Sequence, residues 1–294
     1  MSSLQRVIKY CAIALAIFLA IGIISAIISL VFGIAAFPTR RATIDSHSIT
    51  RKYSSEDRGR IVDFEGDFDG VKSLNIDNST GELRIETGDT FRVEAKNVLE
   101  GFQAEVKSNG ELYVTDTESG FRFFGVHFDG INNPNSKITV YVPENFYAEE
   151  VRIESGAGTV DIDRLNTNYL YISAGAGNLN ADNVTADKVK LEGGVGTVNF
   201  KDVHFTDADF NCSVGGLNIS GVLLGDNKLD CGVGSVELDL TGDITTYDLD
   251  IDSGVGNVRI NGDKIREKEY RNRSAVNSIE VEGGIGNVNI DIYD

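Results

Sequence analysis

Two cysteines are the residues of this 294-residue chain whose type and spacing come closest to supporting chemistry. Cys212 and Cys231 lie one repeat period apart at equivalent positions. On neighbouring strands such positions are about 4.8 Å apart, which is within reach of a disulfide. Both side chains would point the same way into the core, so we predict a buried, reduced pair. Two thiols alone do not bind zinc and no histidine stands at ligand spacing, so no metal site is predicted there.

Calcium is the second candidate, because the glycine-rich phrases are similar to calcium-binding nonapeptide repeats. Those repeats place an aspartate two residues after the last glycine. The matching positions here are better explained as core valines: Val160, Val198, Val236, Val258 and Val288. The next positions form no acidic ladder: Asp161, Asn180, Asn199, Asn218, Glu237, Arg259 and Asn289. We therefore predict no metal ion and no cofactor at the phrases, and weak calcium binding elsewhere on the acidic surface stays an alternative.

No catalytic constellation can be assembled from the remaining residues. The three histidines, His47, His127 and His204, have no serine, cysteine or carboxylate partner that the pattern would bring to them. A β-helix enzyme acting on polysaccharides would need a basic or paired-carboxylate groove and aromatic sugar platforms, and this chain has no Trp. We predict that the protein is not an enzyme, with such a polysaccharide-acting enzyme as one alternative.

The elements that would position any site come from an internal repeat. A glycine recurs at positions 158, 177, 196, 215, 234, 256 and 286. The first four steps share one 19-residue length, and two longer steps, of 22 and 30, follow. A fixed period near twenty predicts a solenoid. The predicted turn glycines are Gly156, Gly158, Gly175, Gly177, Gly194, Gly196, Gly215, Gly232, Gly234, Gly254, Gly256, Gly284 and Gly286.

Alternating apolar residues on both sides of each glycine phrase predict two strands per unit, joined by a glycine turn. Asp and Asn clusters such as Asp182-Asn183 mark the other corner. The Ala, Val or Ile just before the counted glycine is predicted to point inward. The fold class is therefore all-β, a single-stranded parallel β-helix or β-solenoid with 19-residue coils stacked in sequence order. An antiparallel sandwich is the alternative, which the strict period disfavours.

The segment before the repeats is predicted to anchor the chain in a membrane. Residues 1–9 are a short polar tail, and residues 10–37 carry no charge. Such a run is long enough to span a bilayer core of about 30 Å, so we predict one transmembrane signal-anchor α-helix. Residues 38–60 are polar with mixed charge and are predicted to be a tether.

The repeat domain covers residues 61–294, with irregular coils or a cap over 61–150 and regular coils over 151–294. It holds 19 of the 27 Lys and Arg residues and 42 of the 45 Asp and Glu residues, a formal net charge of −23. A surface this acidic repels nucleic acids and anionic headgroups, so no nucleic-acid partner is predicted. Basic residues flank the helix on both sides, but a short tail before a large domain favours export of the solenoid.

Within residues 61–150 the repeat phrase returns in looser form. Gly81-Glu82-Leu83 resembles Gly110-Glu111-Leu112, and the strand Lys137–Pro143 ends at a proline. Together with the glycine phrases, these motifs resemble the bacterial "putative-adhesin" β-strand-repeat family over about residues 61–294. The resemblance implies a right-handed parallel β-helix-like solenoid that is envelope-associated and non-catalytic, and it transfers no functional residues. The two longer steps, of 22 and 30, depart from the family pattern.

Two stretches outside the regular repeat are the predicted contact sites. One is aromatic and is predicted to be a cap or hairpin over the open end of the solenoid, or alternatively a contact patch: Phe121, Phe123, Phe124 and Phe128. The other is the basic insert within residues 261–278, predicted to be a solvated excursion or a docking point for an acidic partner or a second copy: Lys264, Arg266, Lys268, Arg271 and Arg273. The last coil, residues 288–294, is predicted to leave an open edge strand unless the insert folds over it.

The sequence therefore favours a single-pass, membrane-anchored β-solenoid of the bacterial cell envelope. We predict a non-catalytic role in binding, adhesion or membrane-stress sensing, with a protein or envelope partner. The first alternative is a cytoplasm-facing scaffold that self-associates end to end through its open coil. The second is the polysaccharide-acting enzyme.

Overall fold

The computed structural model describes residues 41–43, 60–116, 120–123, 126–129, 135–265 and 271–293, and for 41–43, 120–123 and 126–129 it describes the backbone. The predicted tail 1–9 and helix 10–37 lie outside the described residues, as does most of the predicted tether 38–60. Within the described part of the chain, no helix combines the length and the apolar character that a membrane span requires.

The predicted all-β class is confirmed: apart from one short 3₁₀ turn, Ile244–Thr246, the described elements are strands. The strands are β1 Arg41–Thr43, β2 Ile61–Phe68, β3 Ser73–Gly88, β4 Phe91–Leu99, β5 Gln103–Val106, β6 Glu111–Thr115, β7 Gly120–Phe123, β8 Val126–Asp129, β9 Lys137–Pro143, β10 Ala148–Ile162, β11 Leu165–Asp182, β12 Val184–Thr206, β13 Ala208–Leu224, β14 Asp226–Val233, β15 Val236–Thr241, β16 Tyr247–Asp252, β17 Val258–Ile260, β18 Asp263–Ile265, β19 Asn277–Ile285 and β20 Val288–Tyr293.

The middle of the stack follows the glycine period. Strands β10 to β13 pair in parallel, and residues lie opposite those one period later, as in Ile153↔Ile172 and Ile172↔Leu191. Because side chains alternate between the two faces of a strand, these apolar positions form columns that are buried in the core. The register shifts by one residue in β12 after Phe200, so that Val203 lies opposite Gly221. The polar corner residue Asn183 takes a left-handed φ of 56°. Asparagine tolerates this conformation better than most residues do.

Each glycine phrase in the middle coils is a bend within one continuous strand, where the sequence had predicted a turn between two strands. Gly158, Gly177, Gly196 and Gly215 have φ values of 141°, 139°, 148° and 140°. Such values strongly favour glycine. The four glycines also stack directly on one another. A Cβ at Gly196 would lie 1.6 Å from the carbonyl oxygen of Gly177, so the bend needs glycine for space as well as for conformation.

Coil order at the far end differs from the predicted sequential stack. Strands β14 and β15 pair with β19 and β20, which come much later in the chain, as in Asp226↔Ser278. The other side of β19 and β20 pairs with β16 and β17, which come earlier, as in Tyr247↔Asn277. The last coil therefore lies between two earlier ones, and the prediction that residues 288–294 form an open edge is wrong. The outer strand β17 pairs with β18 in antiparallel fashion.

The beginning of the stack is interleaved in a similar way. Strand β3 pairs with β10 on one side and with both β6 and β9 on the other, although β6 and β9 follow β3 in sequence. Antiparallel pairs β2–β4, β4–β9 and β5–β6 complete this end. The first coils thus combine parallel stacking with antiparallel layers, which a purely parallel β-helix lacks.

The residues before the counted glycines form a column at the surface of the bend: Ala157, Ala176, Val195, Val214, Val233, Ile285 and Val255. The prediction that they point inward is wrong for Val233 and Val255, which are 39% and 50% exposed. The flanking glycines carry no side chain that could cover them.

Candidate binding surface

A ladder of amide side chains runs across the second half of the middle coils. Asn180 Nδ2 donates to Asp161 Oδ1 at 2.8 Å, Asn199 Nδ2 donates to Asn180 Oδ1 at 2.9 Å, and Asn218 Nδ2 donates to Asn199 Oδ1 at 2.7 Å. The repeat places these residues in register, at the third position after each counted glycine. Every donor points toward the preceding coil, so the ladder ends on the Asp161 carboxylate, a strong acceptor.

Charged residues flank this amide ladder at its first end. Arg84 lies beside Asp161, with Nε 4.0 Å from Oδ2, and forms ion pairs with Glu82 and Glu86. Burial acts to raise the pKa of Glu82, but the hydrogen bond from Arg84 and the positive charges of Lys137 and Arg84 outweigh it, so the pKa is lowered. Glu82 therefore stays ionised and helps to fix the Arg84 guanidinium.

An open groove of about 400 Å³ runs beside the amide ladder. Buried Ile85, Ile162 and Ala181 contribute to its lining. Its polar lining is Arg84, Glu86, Asp161, Asp163, Asn180, Asp182, Asn199 and Lys201. Four carboxylates against two cations leave the groove mildly negative, and the amides add neutral donors and acceptors. This lining suits an uncharged polar or a cationic ligand and disfavours an anionic one.

The first half of the same coils has a different surface, in which charges pair with one another. The Arg152 guanidinium lies over the Tyr171 ring, 4.4 Å from its centroid, and the Tyr171 hydroxyl donates to Glu192 at 3.0 Å. Lys190 Nζ lies 3.0 Å from the same Glu192 carboxylate. Hydrogen bonding by Lys190 lowers the pKa of Glu192 against the opposing effect of burial. Charges pair in the groove as well, so the groove is distinguished as a ligand surface by its concave shape and its amide ladder.

The predicted aromatic patch lies alongside the stack. Strands β7 and β8 form an antiparallel hairpin, and β8 neighbours β10, β3 and β11. Three successive coils are thus its neighbours, whereas the sequence had predicted a cover over the open end. Phe121, Phe123 and Phe128 belong to this hairpin, Phe124 lies outside the described residues, and the contact patch stays a prediction.

The predicted basic patch is partly engaged within the chain. Arg271 pairs with Asp248, at 3.0 Å from Nε to Oδ1, and also with Asp250. The Asn272 backbone N–H donates to the same Asp248 carboxylate at 2.8 Å, which fixes this segment to the outer strand β16. Lys264 and Arg273 are exposed, and Arg266 and Lys268 lie outside the described residues. Arg271 is therefore neutralised before any acidic partner arrives.

The described residues include no group of three or more His, Cys, Asp or Glu side chains that could hold a metal ion. The positions that calcium repeats would fill with aspartate are buried valines, as predicted, with Val236 1% and Val288 2% exposed. Sequence reasoning noted Asp161, Asn180, Asn199 and Asn218 but missed the hydrogen bonds between them. The signal was present, because Asp or Asn recurs there in four successive coils.

The family model described as Toastrack DUF4097 matches residues 71–282. No curated protein matches the chain. Among solved structures, a "putative cell adhesion protein" of Clostridium sporogenes is 19% identical, with 79% of this chain and 100% of that chain covered and a TM-score of 0.26. A "putative adhesin" of Bacteroides fragilis is 13% identical, with 79% and 98% covered and a TM-score of 0.35. A "putative lipid binding protein" of Parabacteroides distasonis is 14% identical, with 84% and 99% covered and a TM-score of 0.35.

Proposed function

This chain belongs to the Toastrack DUF4097 family, and from that premise we propose that it is a non-catalytic binding scaffold whose ligand surface is the groove beside the amide ladder. The single observation that carries the proposal is the ladder itself, with hydrogen bonds of 2.7–2.9 Å from Asn218 to Asp161. Each amide is held by its neighbours, so its remaining donor and acceptor sites are fixed before a ligand arrives. Such preorganisation lowers the entropic cost of binding.

The spacing of the groove defines the shape of its ligand. Donors and acceptors recur at about 4.8 Å, once per coil. They do so along a lining that continues over several coils. An extended chain with polar groups along its length can contact several coils at once. We therefore propose that the ligand is an extended, uncharged or cationic segment of a protein or of an envelope polymer.

The proposed setting is the cell envelope. The uncharged segment 10–37 anchors the chain in the membrane, and the solenoid stands outside the cytoplasm as an adhesion or stress-sensing scaffold. This part of the proposal is supported by the sequence, through the length of the uncharged run and the short tail before it. External protease on intact cells, with a tag after residue 294, tests it: loss of the tag without lysis supports the proposal, and protection until lysis overturns it.

Crosslinking in cells tests the groove directly. A photoreactive amino acid replaces Asn199, which lines the groove, and in a matched control it replaces Asn289, which occupies the same column three coils away. We expect a defined adduct from position 199 and none from position 289. Equal adducts at both positions, or none at either, would overturn the assignment of the groove.

One observation favours a second candidate function. Four carboxylates line the groove, Glu86, Asp161, Asp163 and Asp182, and paired carboxylates carry out glycoside hydrolysis. Three of them have charge partners, since Glu86 and Asp161 flank Arg84 and Asp182 pairs with Lys201 at 3.1 Å. The purified full chain is incubated with envelope polysaccharide and new reducing ends are measured. If new reducing ends form and Asp163→Asn abolishes their formation, the protein is an enzyme and the proposed non-catalytic function is wrong.

A further inference from the structure

One column of the bend, buried at Asn78, Ser155 and Cys231 and half-buried at its other positions, contains both described cysteines. It consists of the inward-facing residues that directly precede the glycine phrases, stacked in register: Asn78, Ser155, Ala174, Gly193, Cys212, Cys231 and Gly283. Cys212 and Cys231 are therefore direct neighbours on β13 and β14, and both are free thiols. Paired positions on parallel strands lie about 4.8 Å apart, which is inside the Cα range of a disulfide.

The surroundings of the two sulfur atoms leave room for movement. Glycine occupies the column on each side of the pair, as Gly193 before Cys212 and Gly283 after Cys231. A methyl group at Gly193 would already contact Cys212 Sγ at 3.5 Å, so any larger residue there would restrict the thiol. The backbone is also less regular on this side, because strand pairing stops after Val233 and resumes at Val236. Both features allow the small shift that a sulfur–sulfur bond requires.

A small reagent can reach the pair from one side. Cys231 is buried, with 6% of its surface exposed, whereas Cys212 is half-buried. Cys212 lines a cavity of about 20 Å³ together with Gly193 and Gly194. That volume accommodates a molecule about the size of water, so the route suits a very small oxidant.

The two thiols also influence each other's pKa. The hydrogen bond from Cys212 lowers the pKa of Cys231, while the same hydrogen bond, followed by burial, raises the pKa of Cys212. A thiolate in this pair is therefore stabilised by a hydrogen bond from the neighbouring thiol. A thiolate beside a second thiol is the arrangement from which intramolecular disulfides form.

We propose that Cys212 and Cys231 form an oxidation site, at which hydrogen peroxide closes a disulfide between β13 and β14. The first sulfur attacks one peroxide oxygen, the O–O bond breaks, and the leaving hydroxide takes a proton to become water. The resulting sulfenic acid is attacked by the second sulfur, the S–S bond forms, and a second water leaves. One peroxide is reduced to two waters, and two thiols lose two hydrogen atoms. This inference does not depend on the ligand of the groove.

The proposed disulfide joins the last regular coil to the first interleaved one. It closes a short loop of the chain, so it restricts the unfolded state. The oxidised protein should melt at a temperature about 5 °C higher than the reduced protein.

Peptide mapping of the oxidised full chain tests the proposal. The full chain in detergent is reduced, exposed to a small excess of hydrogen peroxide, blocked with an alkylating reagent, digested and analysed by mass spectrometry. We expect a peptide pair linked through Cys212 and Cys231 and a loss of two thiols. Both thiols recovered in alkylated form, or sulfinic acid without a linked pair, would overturn the proposal.

Single substitutions supply the control. Cys212→Ser and Cys231→Ser, each with an alanine counterpart in case the hydroxyl impairs folding, should show no rise in melting temperature after peroxide. A rise that persists in these variants would assign the effect to another site, such as Cys11, and would overturn the assignment. The wild-type peptide map needs no variant, so the proposal stays testable even if every variant fails to fold.

Discussion

The middle coils and the end coils of this solenoid are built from the same phrase but stack by different rules. Strands β10 to β13 follow a 19-residue period, apart from a one-residue shift after Phe200, and each coil lies on the one before it in sequence. From β14 onward the steps lengthen, and the final coil of β19 and β20 lies between the coil of β14 and β15 and the coil of β16 and β17.

The comparison shows that the glycine phrase determines the shape of a coil. The length of the connecting segment determines where the coil lies in the stack. A short corner, as between β10 and β11, only reaches the adjacent position in the stack. The segment between β17 and β19 is longer, so the chain can return past one coil and enter the gap behind it. The strands of all coils present similar apolar columns. Each strand can therefore pair with either neighbour, because the columns match in both orders.

The largest effect is expected from a substitution in the glycine bend, which the two regions share. Gly215→Ala places a Cβ 1.6 Å from the Gly196 carbonyl oxygen, at a φ of 140°. It should therefore lower the free energy of unfolding by about 4 kcal/mol or prevent folding. In the matched control, Gly216→Ala, the nearest contact of the new Cβ is Thr197 Cγ2 at 3.7 Å. The control should cost less than about 1 kcal/mol. Denaturant unfolding of both variants checks this, and equal costs would contradict it.

The next effect tests the interleaved order. Ile290 and Ile260 are both fully buried and lie opposite each other, but Ile290 also lies opposite Leu238. Ile290→Ala should lower the free energy of unfolding by about 3 kcal/mol and reduce amide protection in both β15 and β17. Ile260→Ala, the control, should reduce protection in β17 and leave β15 protected. Hydrogen exchange measured by mass spectrometry distinguishes the two variants. Loss of amide protection in β17 alone for both variants would favour the sequential coil order instead.

A third test concerns the other interleaved end, where Asp116 follows β6. Burial raises the pKa of Asp116 from 3.8 to about 6, against the effect of hydrogen bonds from Ser79. The Ser79 N–H donates to the carboxylate at 3.0 Å and the Ser79 hydroxyl at 2.7 Å. The folded state then holds a proton that the unfolded state releases near pH 4. The contribution of Asp116 to the free energy of unfolding is therefore fully present below about pH 4. It falls by about 2–3 kcal/mol as the pH rises to about 6.

The measurement for Asp116 is a difference between two proteins. The free energy of unfolding of the wild type minus that of Asp116→Asn, followed from pH 4 to pH 7, should fall across this window. The subtraction removes carboxylates with lowered pKa, such as Glu192, which contribute in the opposite direction. A flat difference would contradict the assignment.

The smallest effect is expected at the segment that contains Arg271 and is bonded to the outer strand β16. Arg271 pairs with Asp248 at a partly exposed site. Arg271→Ala should therefore change the free energy of unfolding by only about 0.5 kcal/mol. Its visible result should be local: faster proteolysis within residues 261–276, because the segment loses its link to β16. Lys264→Ala, at an exposed position on β18, is the control and should leave the cleavage rate unchanged.

The repeat made the middle coils predictable from sequence. Apolar alternation and the 19-residue spacing correctly predicted parallel stacking of Ile153 on Ile172, because one period relates these positions. The ends were not predictable in this way. Gly110-Glu111-Leu112 looks like Gly81-Glu82-Leu83, yet Leu112 stacks on Leu74 and Ile138 stacks on Leu83. Similar phrases compete for the same neighbour, and only the three-dimensional path of the connections decides between them.

The candidate site was predictable only in part, for the same physical reason. The amide column was visible as a periodic residue type, but Arg84 reaches it from β3, which is several coil lengths away in sequence from its partner Asp161. Asp116 gave no signal at all, since its burial against Ser79 depends on β6 stacking beside β3. Contacts within the period can be read from the sequence, and contacts across the interleaved ends cannot.

The repeated register of the middle coils, from β10 to the shift after Phe200 in β12, also makes the length of the stack adjustable. Each strand from β10 to β13 offers the same glycine bend and the same apolar columns to both neighbours. Gain or loss of one 19-residue unit there would shift the outer coils by about 4.8 Å and leave both ends as they are. The amide ladder would gain or lose one step at the same time. Related solenoids can thus differ in reach, and in the number of steps offered to a ligand, without redesign of either end.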